Sequence, residues 1–164
     1  MSIFSRLFER KPKHHTSAYG ALYASVVSCL KAAGLKVGGT AGYPRVEVHS
    51  ITENQRLDKD GAVRSLSLTI ESISDKSLAA SKEMNSEAME ALTTAGALDA
   101  GNDWQVLDVN PDQLQDLPET SDSAKILYRT LQSYDVWVER SKEDAEPEQD
   151  PEPEPENDTE DENN

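Results

Sequence analysis

The segment VRSLSLTIESIS, residues 63–74, decides the fold because its apolar and polar residues alternate. Leu66, Leu68 and Ile70 point one way, whereas the polar residues between them point the other way. A period of two predicts a β-strand with one buried face and one solvated face. The residues of the solvated face are Ser65, Ser67, Thr69 and Glu71.

The residues that follow change period and predict an amphipathic helix. Ser74 or Asp75 is expected to cap its N-terminus by accepting a hydrogen bond from a backbone N–H. Gly96 is expected to close it in a left-handed conformation. The apolar strand face and the apolar helix stripe must both be shielded from water. The simplest arrangement packs the helix on the sheet. The stripe contains Leu78, Met84, Ala88, Met89, Ala91 and Leu92.

Upstream of this unit the sequence predicts one more helix and one more strand. Apolar residues recur at three and four residues over 16–33, which predicts a helix capped by Thr16 or Ser17. Residues 43–51 predict a strand with a proline near its start. The polar residues 53–61 then form the connection of a hairpin.

Downstream, residues 104–109 predict a strand whose facing is ambiguous. Residues 110–122 contain two prolines and many polar residues, and they predict a surface excursion. Residues 124–140 predict a long last strand, with Tyr134, Val136 and Val138 on one face. The expected fold class is therefore α+β: a mainly antiparallel sheet of about four strands packed against two helices.

Charge divides the chain into three parts. Residues 1–15 form a basic arm of net charge +3, residues 16–140 a domain of net charge −7, and residues 141–164 a Pro/Glu-rich tail of net charge −11. The tail has no large apolar residue and is predicted to be disordered. An acidic domain argues against nonspecific binding to duplex DNA.

Five residues are candidates for an interface. Phe4 and Phe8 indicate a short anchor that orders against a neighbouring protein, although the arm also fits a frayed terminus or a short membrane-surface helix. Trp137 lies on the charged side of the last strand, between Asp135 and Glu139. Either a neighbouring loop partly covers this tryptophan, or it is a protein–protein anchor, a role in which Trp is enriched.

Residues with catalytic or metal-binding patterns are missing from the sequence. Cys29 is the single cysteine, which excludes an intrachain disulfide and indicates a small core residue. The histidines and acids lack the spacing of a metal site or of a general acid/base pair. We therefore expect no catalytic residue, cofactor or metal, and a protein that is not an enzyme. There is no apolar run of about 20 residues that would span a membrane, and cytoplasmic synthesis is expected.

Four short segments carry a resemblance to a known family. They are YPRVEV (43–48), Gly61 with LSL (66–68), LYR (127–129) and YDVWV (134–138). Together with the order of the elements, they resemble tailed-phage tail-completion proteins, also called tail terminators or head–tail joining proteins. The resemblance covers about residues 18–140, so the arm and the tail lie outside it.

This resemblance implies a structural virion protein that acts at the head–tail junction. It would form a ring, expected to be a hexamer, that terminates the tail tube and joins it to the neck or portal. Its partners would be copies of itself, the tail tube and the neck, portal or adaptor proteins. Genomic DNA would pass through the lumen without sequence-specific contacts, and no membrane would be involved. An acidic lumen would keep the DNA from sticking.

Two alternatives stay open from the residues alone. The first is an acidic interaction module or DNA mimic that uses residues 143–162 to occupy a basic surface on a host or viral protein. The concentration of acid in the tail argues against it, because a mimic usually spreads acid over its folded surface. The second is a small enzyme, against which the scarcity of His and Cys argues.

Overall fold

The computed structural model describes residues 16–56 and 62–141. The described residues form two helices and a four-stranded antiparallel sheet in the order β1-β2-β4-β3, which confirms the predicted α+β class. The arm with Phe4 and Phe8, Gly61, and the tail beyond residue 141 lie outside the described residues. The elements are α1 (Ala18–Ala32), β1 (Arg45–Arg56), β2 (Val63–Ser74), α2 (Leu78–Thr93), β3 (Trp104–Asp122) and β4 (Lys125–Arg140).

The core lies between the two helices and one face of the sheet. Leu66, Leu68 and Ile70 of β2 are fully buried on this face, as their alternation predicts. Burying a large aliphatic side chain contributes about 1.5–3 kcal/mol, so this row stabilises the contact between sheet and helices. It packs with Leu22, Val26 and Leu30 of α1, Ala88 and Leu92 of α2, and Tyr134, Val136 and Val138 of β4.

The α2 helix is capped by a residue other than those predicted. The side chain of Ser77 accepts a hydrogen bond from the Ala80 N–H at 3.1 Å, so the prediction of Ser74 or Asp75 is wrong. Ser74 instead belongs to β2 and is fully buried, and its hydroxyl accepts from the Lys76 N–H at 3.1 Å. The chain needs these extra residues to turn from the strand onto the helix layer.

The predicted start of α1 agrees with the structure, but the predicted end of α2 is wrong, because Thr94 in an extended conformation is the C-cap and Gly96 lies two residues beyond it. Ser17 caps α1 by accepting a hydrogen bond from the Gly20 N–H at 3.1 Å. Gly96, just after α2, has a φ of 73°, in the left-handed region that glycine adopts without steric strain.

Both edge strands are longer than the sequence predicts. Residues 53–56 continue β1 and pair with β2, so they are not part of the connection. Residues 110–122 are not an excursion either, because β3 pairs with β4 along its whole length. Within the described residues β3 pairs with β4 alone, and an edge strand tolerates Pro111 and Pro118 where a central strand would not. Register shifts between Pro111 and Leu114 and between Leu117 and Thr120 accommodate them.

A two-residue turn joins β3 to β4. Ser123 and Ala124 have φ values of 48° and 71°. Positive φ at both central residues is typical of the type I′ turn, whose twist matches that of the flanking strands. The result is a long hairpin closed by a tight turn.

Tyr134 gives a prediction about this core. Its side chain is fully buried, burial raises its pKa, and its hydroxyl has no hydrogen-bond partner among the described residues. An unpaired buried hydroxyl is unfavourable by about 1–3 kcal/mol. We therefore expect Tyr134→Phe to raise the free energy of unfolding by about 1 kcal/mol, measured by chemical denaturation. Tyr23→Phe, at a residue 52% exposed, is the control. A loss of stability in Tyr134→Phe would show that the hydroxyl is paired.

Candidate interaction surface

The helices cover one face of the sheet, and we call the opposite face the open face. It carries the residues that alternate with the core positions, since neighbouring residues in a strand point to opposite sides. On β2 these are the polar residues predicted from the sequence, and Ser65, Ser67 and Thr69 are half-buried there.

Glu71 departs from this pattern because it is only 3% exposed. Arg129 of β4 donates from Nε to one of its carboxylate oxygens, and Nδ1 of His49 in β1 lies 3.3 Å from the other. The hydrogen bond to Glu71 raises the pKa of Arg129. The prediction of a solvated Glu71 is therefore wrong: the side chain joins three strands. We call Glu71, Arg129 and His49 the Glu71 cluster.

Tyr43 connects the start of β1 to the tip of the β3–β4 hairpin. Its hydroxyl donates to Asp122 at 2.9 Å, and this hydrogen bond raises the pKa of Tyr43. The Arg45 guanidinium lies 4.4 Å from the centre of the Tyr43 ring and pairs with Glu47 at 2.6 Å. These contacts lie beside the Glu71 cluster and hold the hairpin tip to the far edge of the sheet.

Two further ion pairs join the β3–β4 hairpin to neighbouring parts of the domain. Lys125 Nζ lies 3.1 Å from the Asp75 carboxylate and lowers the pKa of Asp75. Lys82 of α2 lies 2.8 Å from Asp116 of β3. Exposed pairs contribute little stability each, so these two pairs add little to the strand pairing that already fixes the hairpin.

Trp137 projects from the open face and is 37% exposed. Asp135 and Glu139 lie on the same face, because they are two residues away along β4. Its direct cross-strand neighbours are Ser65 on β2 and Asp108 on β3, whose side chains are short. Since β4 is an inner strand, the indole stands in the middle of the face and not at the sheet edge.

The two ends of the described domain meet at Asp103. Its carboxylate accepts from the Thr16 N–H at 2.8 Å, and its carbonyl accepts from the Ser141 N–H at 3.0 Å. Trp104 reinforces the junction, since its indole N–H donates to the Thr16 carbonyl at 2.8 Å. The ring of this buried tryptophan is flanked by the guanidinium groups of Arg64 and Arg140, at 4.9 and 5.4 Å from its centre.

A groove of about 390 Å³ separates α1 from β1, and we call it the α1–β1 groove. On one side Tyr19 donates its hydroxyl to Glu53 at 3.0 Å, and partial burial together with this bond raises the pKa of Tyr19. Tyr23 on the same wall is 52% exposed. The lining residues are Tyr19, Gly20, Tyr23, Val48, His49, Ser50 and Ile51.

The described residues offer few groups suited to metal binding or nucleophilic chemistry. Residues 16–56 and 62–141 contain no group of three or more His, Cys, Asp or Glu that could hold a metal ion. Cys29 is half-buried, its thiol donates to the Ala91 carbonyl at 3.4 Å, and burial raises its pKa. A thiol with a raised pKa forms less thiolate, the reactive form, which agrees with a packing role. None of the described helices has the length and apolar character needed to cross a membrane.

No protein-family model matches this chain, and no curated protein matches it. Among solved structures, a chain in the "Virion of native gene transfer agent (GTA) particle" has a similar fold, with a TM-score of 0.54 and 23% sequence identity. The match covers 76% of this chain and 99% of that chain. The two chains therefore share a fold over almost the whole length of the virion chain.

The structure brings together only part of the predicted interface. Asp135, Trp137 and Glu139 share one face, as their spacing predicts. The Glu71 cluster and the contacts of Tyr43 were missed. Period-two alternation places Glu71 on the right face, but nothing local indicates that an arginine 58 residues away pairs with it.

Proposed function

We propose that this chain is a structural virion protein that forms a ring at the head–tail junction of a tailed-phage-like particle. There it would terminate the tail tube and join it to the neck or portal. The observation that carries the proposal is the fold shared with a chain of the gene transfer agent virion over 99% of that chain. The short segments that resemble tail-completion proteins agree with it. The expected assembly is a hexamer with DNA passing through its lumen.

A ring of identical subunits needs two different surfaces on each subunit, because its contacts are heterologous. We propose the open face around Trp137 as one of them. A partly exposed indole with acids on both sides suits an aromatic anchor and its polar rim. Asp135 and Glu139 would provide that rim.

The edge of β3 is poorly suited to pair with a strand of another copy. Pro111 and Pro118 lack the backbone N–H that a ladder needs, and three register shifts interrupt the strand. Natural sheets use such features to prevent edge-to-edge association. Contacts between copies would therefore be made through side chains and not through strand addition at β3.

The β3–β4 hairpin is an acidic projection, and we place it at the lumen of the ring. Like charge would keep the passing DNA from adhering to the wall. The distal part of the hairpin, residues 110–126, contains the acids Asp112, Asp116, Glu119 and Asp122 against the single base Lys125.

We expect Trp137→Ala to weaken self-association at least tenfold, because an aromatic anchor contributes more than about 1.4 kcal/mol. Native mass spectrometry over a concentration series measures the assembly, and circular dichroism is expected to stay unchanged. Ile126→Ala, at a residue of β4 that is 53% exposed, is the matched control.

Two outcomes of this experiment test the proposed surface and the proposed function separately. A ring that forms normally with Trp137→Ala would contradict the proposed surface. A wild-type chain that stays monomeric, and does not bind neck or tail-tube proteins, would contradict the virion role and favour the acidic interaction module.

A further inference from the structure

The α1–β1 groove is an apolar recess on the β1 side of the domain. Val48 and Ile51 are half-buried at its base, and Tyr23 is 52% exposed on its wall. Filling such a recess with apolar side chains is favourable, because it removes apolar surface from water. An exposed apolar recess is a common feature of interaction sites.

We propose that the arm, residues 1–15, of one copy binds in the α1–β1 groove of a neighbouring copy. This proposal rests on the proposed ring. Residues three and four apart share one side of a helical turn, so Phe4 and Phe8 can enter the groove together, as can Ile3 and Leu7. Binding of an amphipathic helix in a groove is a recurrent mode of recognition.

The length of the arm permits docking on a neighbouring copy, which would supply the second surface that the proposed ring needs. Phe8 precedes Thr16 by eight residues, which span at most about 27 Å when extended. Thr16 is itself held by Asp103, and Tyr19, on the wall of its own groove, lies one helical turn further on. One turn rises about 5 Å, so the spacer is several times longer than its own groove requires.

Charge favours the same contact. The spacer over residues 9–15 carries a net charge of +2, whereas residues 16–140 carry −7. The Glu53 carboxylate lies next to the groove, at the hydroxyl of Tyr19. A basic spacer is therefore attracted to the acidic domain surface that it crosses, over the screening length of about 8 Å at physiological salt.

Disulfide trapping tests the proposal with the full chain. Every variant carries Cys29→Ala, which leaves no other thiol. One chain carries Phe8→Cys, and a second, isotope-labelled chain carries Tyr23→Cys. After mixing and mild oxidation, we expect a disulfide between one chain of each kind, identified by mass. The control pairs Phe8→Cys with Ile126→Cys. Ile126 is as exposed as Tyr23 but lies at the start of β4, outside the lining of the groove, and at least tenfold less product is expected.

A chain that carries both Phe8→Cys and Tyr23→Cys decides between the two grooves. The proposal predicts disulfides between copies, and a disulfide within one chain would overturn it. Product no greater than in the control would overturn it as well. Circular dichroism establishes that each variant is folded. Native mass spectrometry of the same samples separates the two proposals: rings without the specific disulfide contradict arm docking alone, and monomers throughout contradict the ring and arm docking together.

Discussion

Replacing Leu68 with alanine is expected to lower the free energy of unfolding by about 2–5 kcal/mol, the usual range for a buried leucine. Leu68 is fully buried in the second strand of the sheet, with Ile51 and Tyr134 directly opposite on the two neighbouring strands. Truncation there removes apolar contacts on both sides. It also leaves a cavity that the rigid strands close only in part.

The free energy of unfolding of Leu68→Ala is measured by chemical denaturation. Its dependence on denaturant concentration, the m value, should equal that of the wild type. Leu114→Ala removes the same atoms from a residue of β3 that is 49% exposed, and we expect it to change stability by no more than about 0.5 kcal/mol. If Leu68→Ala changed the stability as little as Leu114→Ala, the assigned faces of β2 would be reversed.

Glu71→Ala is expected to destabilise the fold by about 2–3 kcal/mol. Removing one partner of a buried ion pair leaves the other charge uncompensated, which costs about 3–5 kcal/mol when both partners are fully buried. The Arg129 side chain is 28% exposed, so water can hydrate part of its charge and the expected loss lies at or below the lower end of that range. His49 would lose its carboxylate partner in the same substitution.

Two comparisons make the Glu71 prediction specific. Glu47→Ala removes a carboxylate that is 27% exposed, against 4% for Glu71. Arg45 keeps its hydrogen bond to the Ala41 carbonyl and its contact with the Tyr43 ring, so we expect an effect below about 1 kcal/mol. Replacing Glu71 and Arg129 together with methionine is expected to restore much of the loss, because no unpaired charge stays behind. Strictly additive effects of the two single substitutions would contradict the pairing.

The local pattern of apolar residues predicted much of the fold. Alternation at Leu66, Leu68 and Ile70 located the central strand, since burial of one face requires that period. The excursion predicted over residues 110–122 was wrong because prolines and acids interrupt strands in general. Whether a strand lies at the edge, where prolines are tolerated, depends on the order of strands in the sheet, which local sequence does not contain.

The candidate site was less predictable than the fold. Asp135, Trp137 and Glu139 could be grouped because they are close in the chain and share a period. Glu71, Arg129 and His49 lie on three different strands, and only the pairing register brings them together. The cap at Ser77 was missed for a related reason: the length of the turn after β2 depends on where the helix layer sits above the sheet.

The junction at Asp103 has a consequence for how such a protein can vary. Because one residue holds both Thr16 and Ser141, the extensions before and after the domain begin at the same corner. Either extension can be lengthened, shortened or exchanged without passing through the sheet or the helix layer. The domain is thus modular: mutation can alter its appendages independently while selection preserves the core.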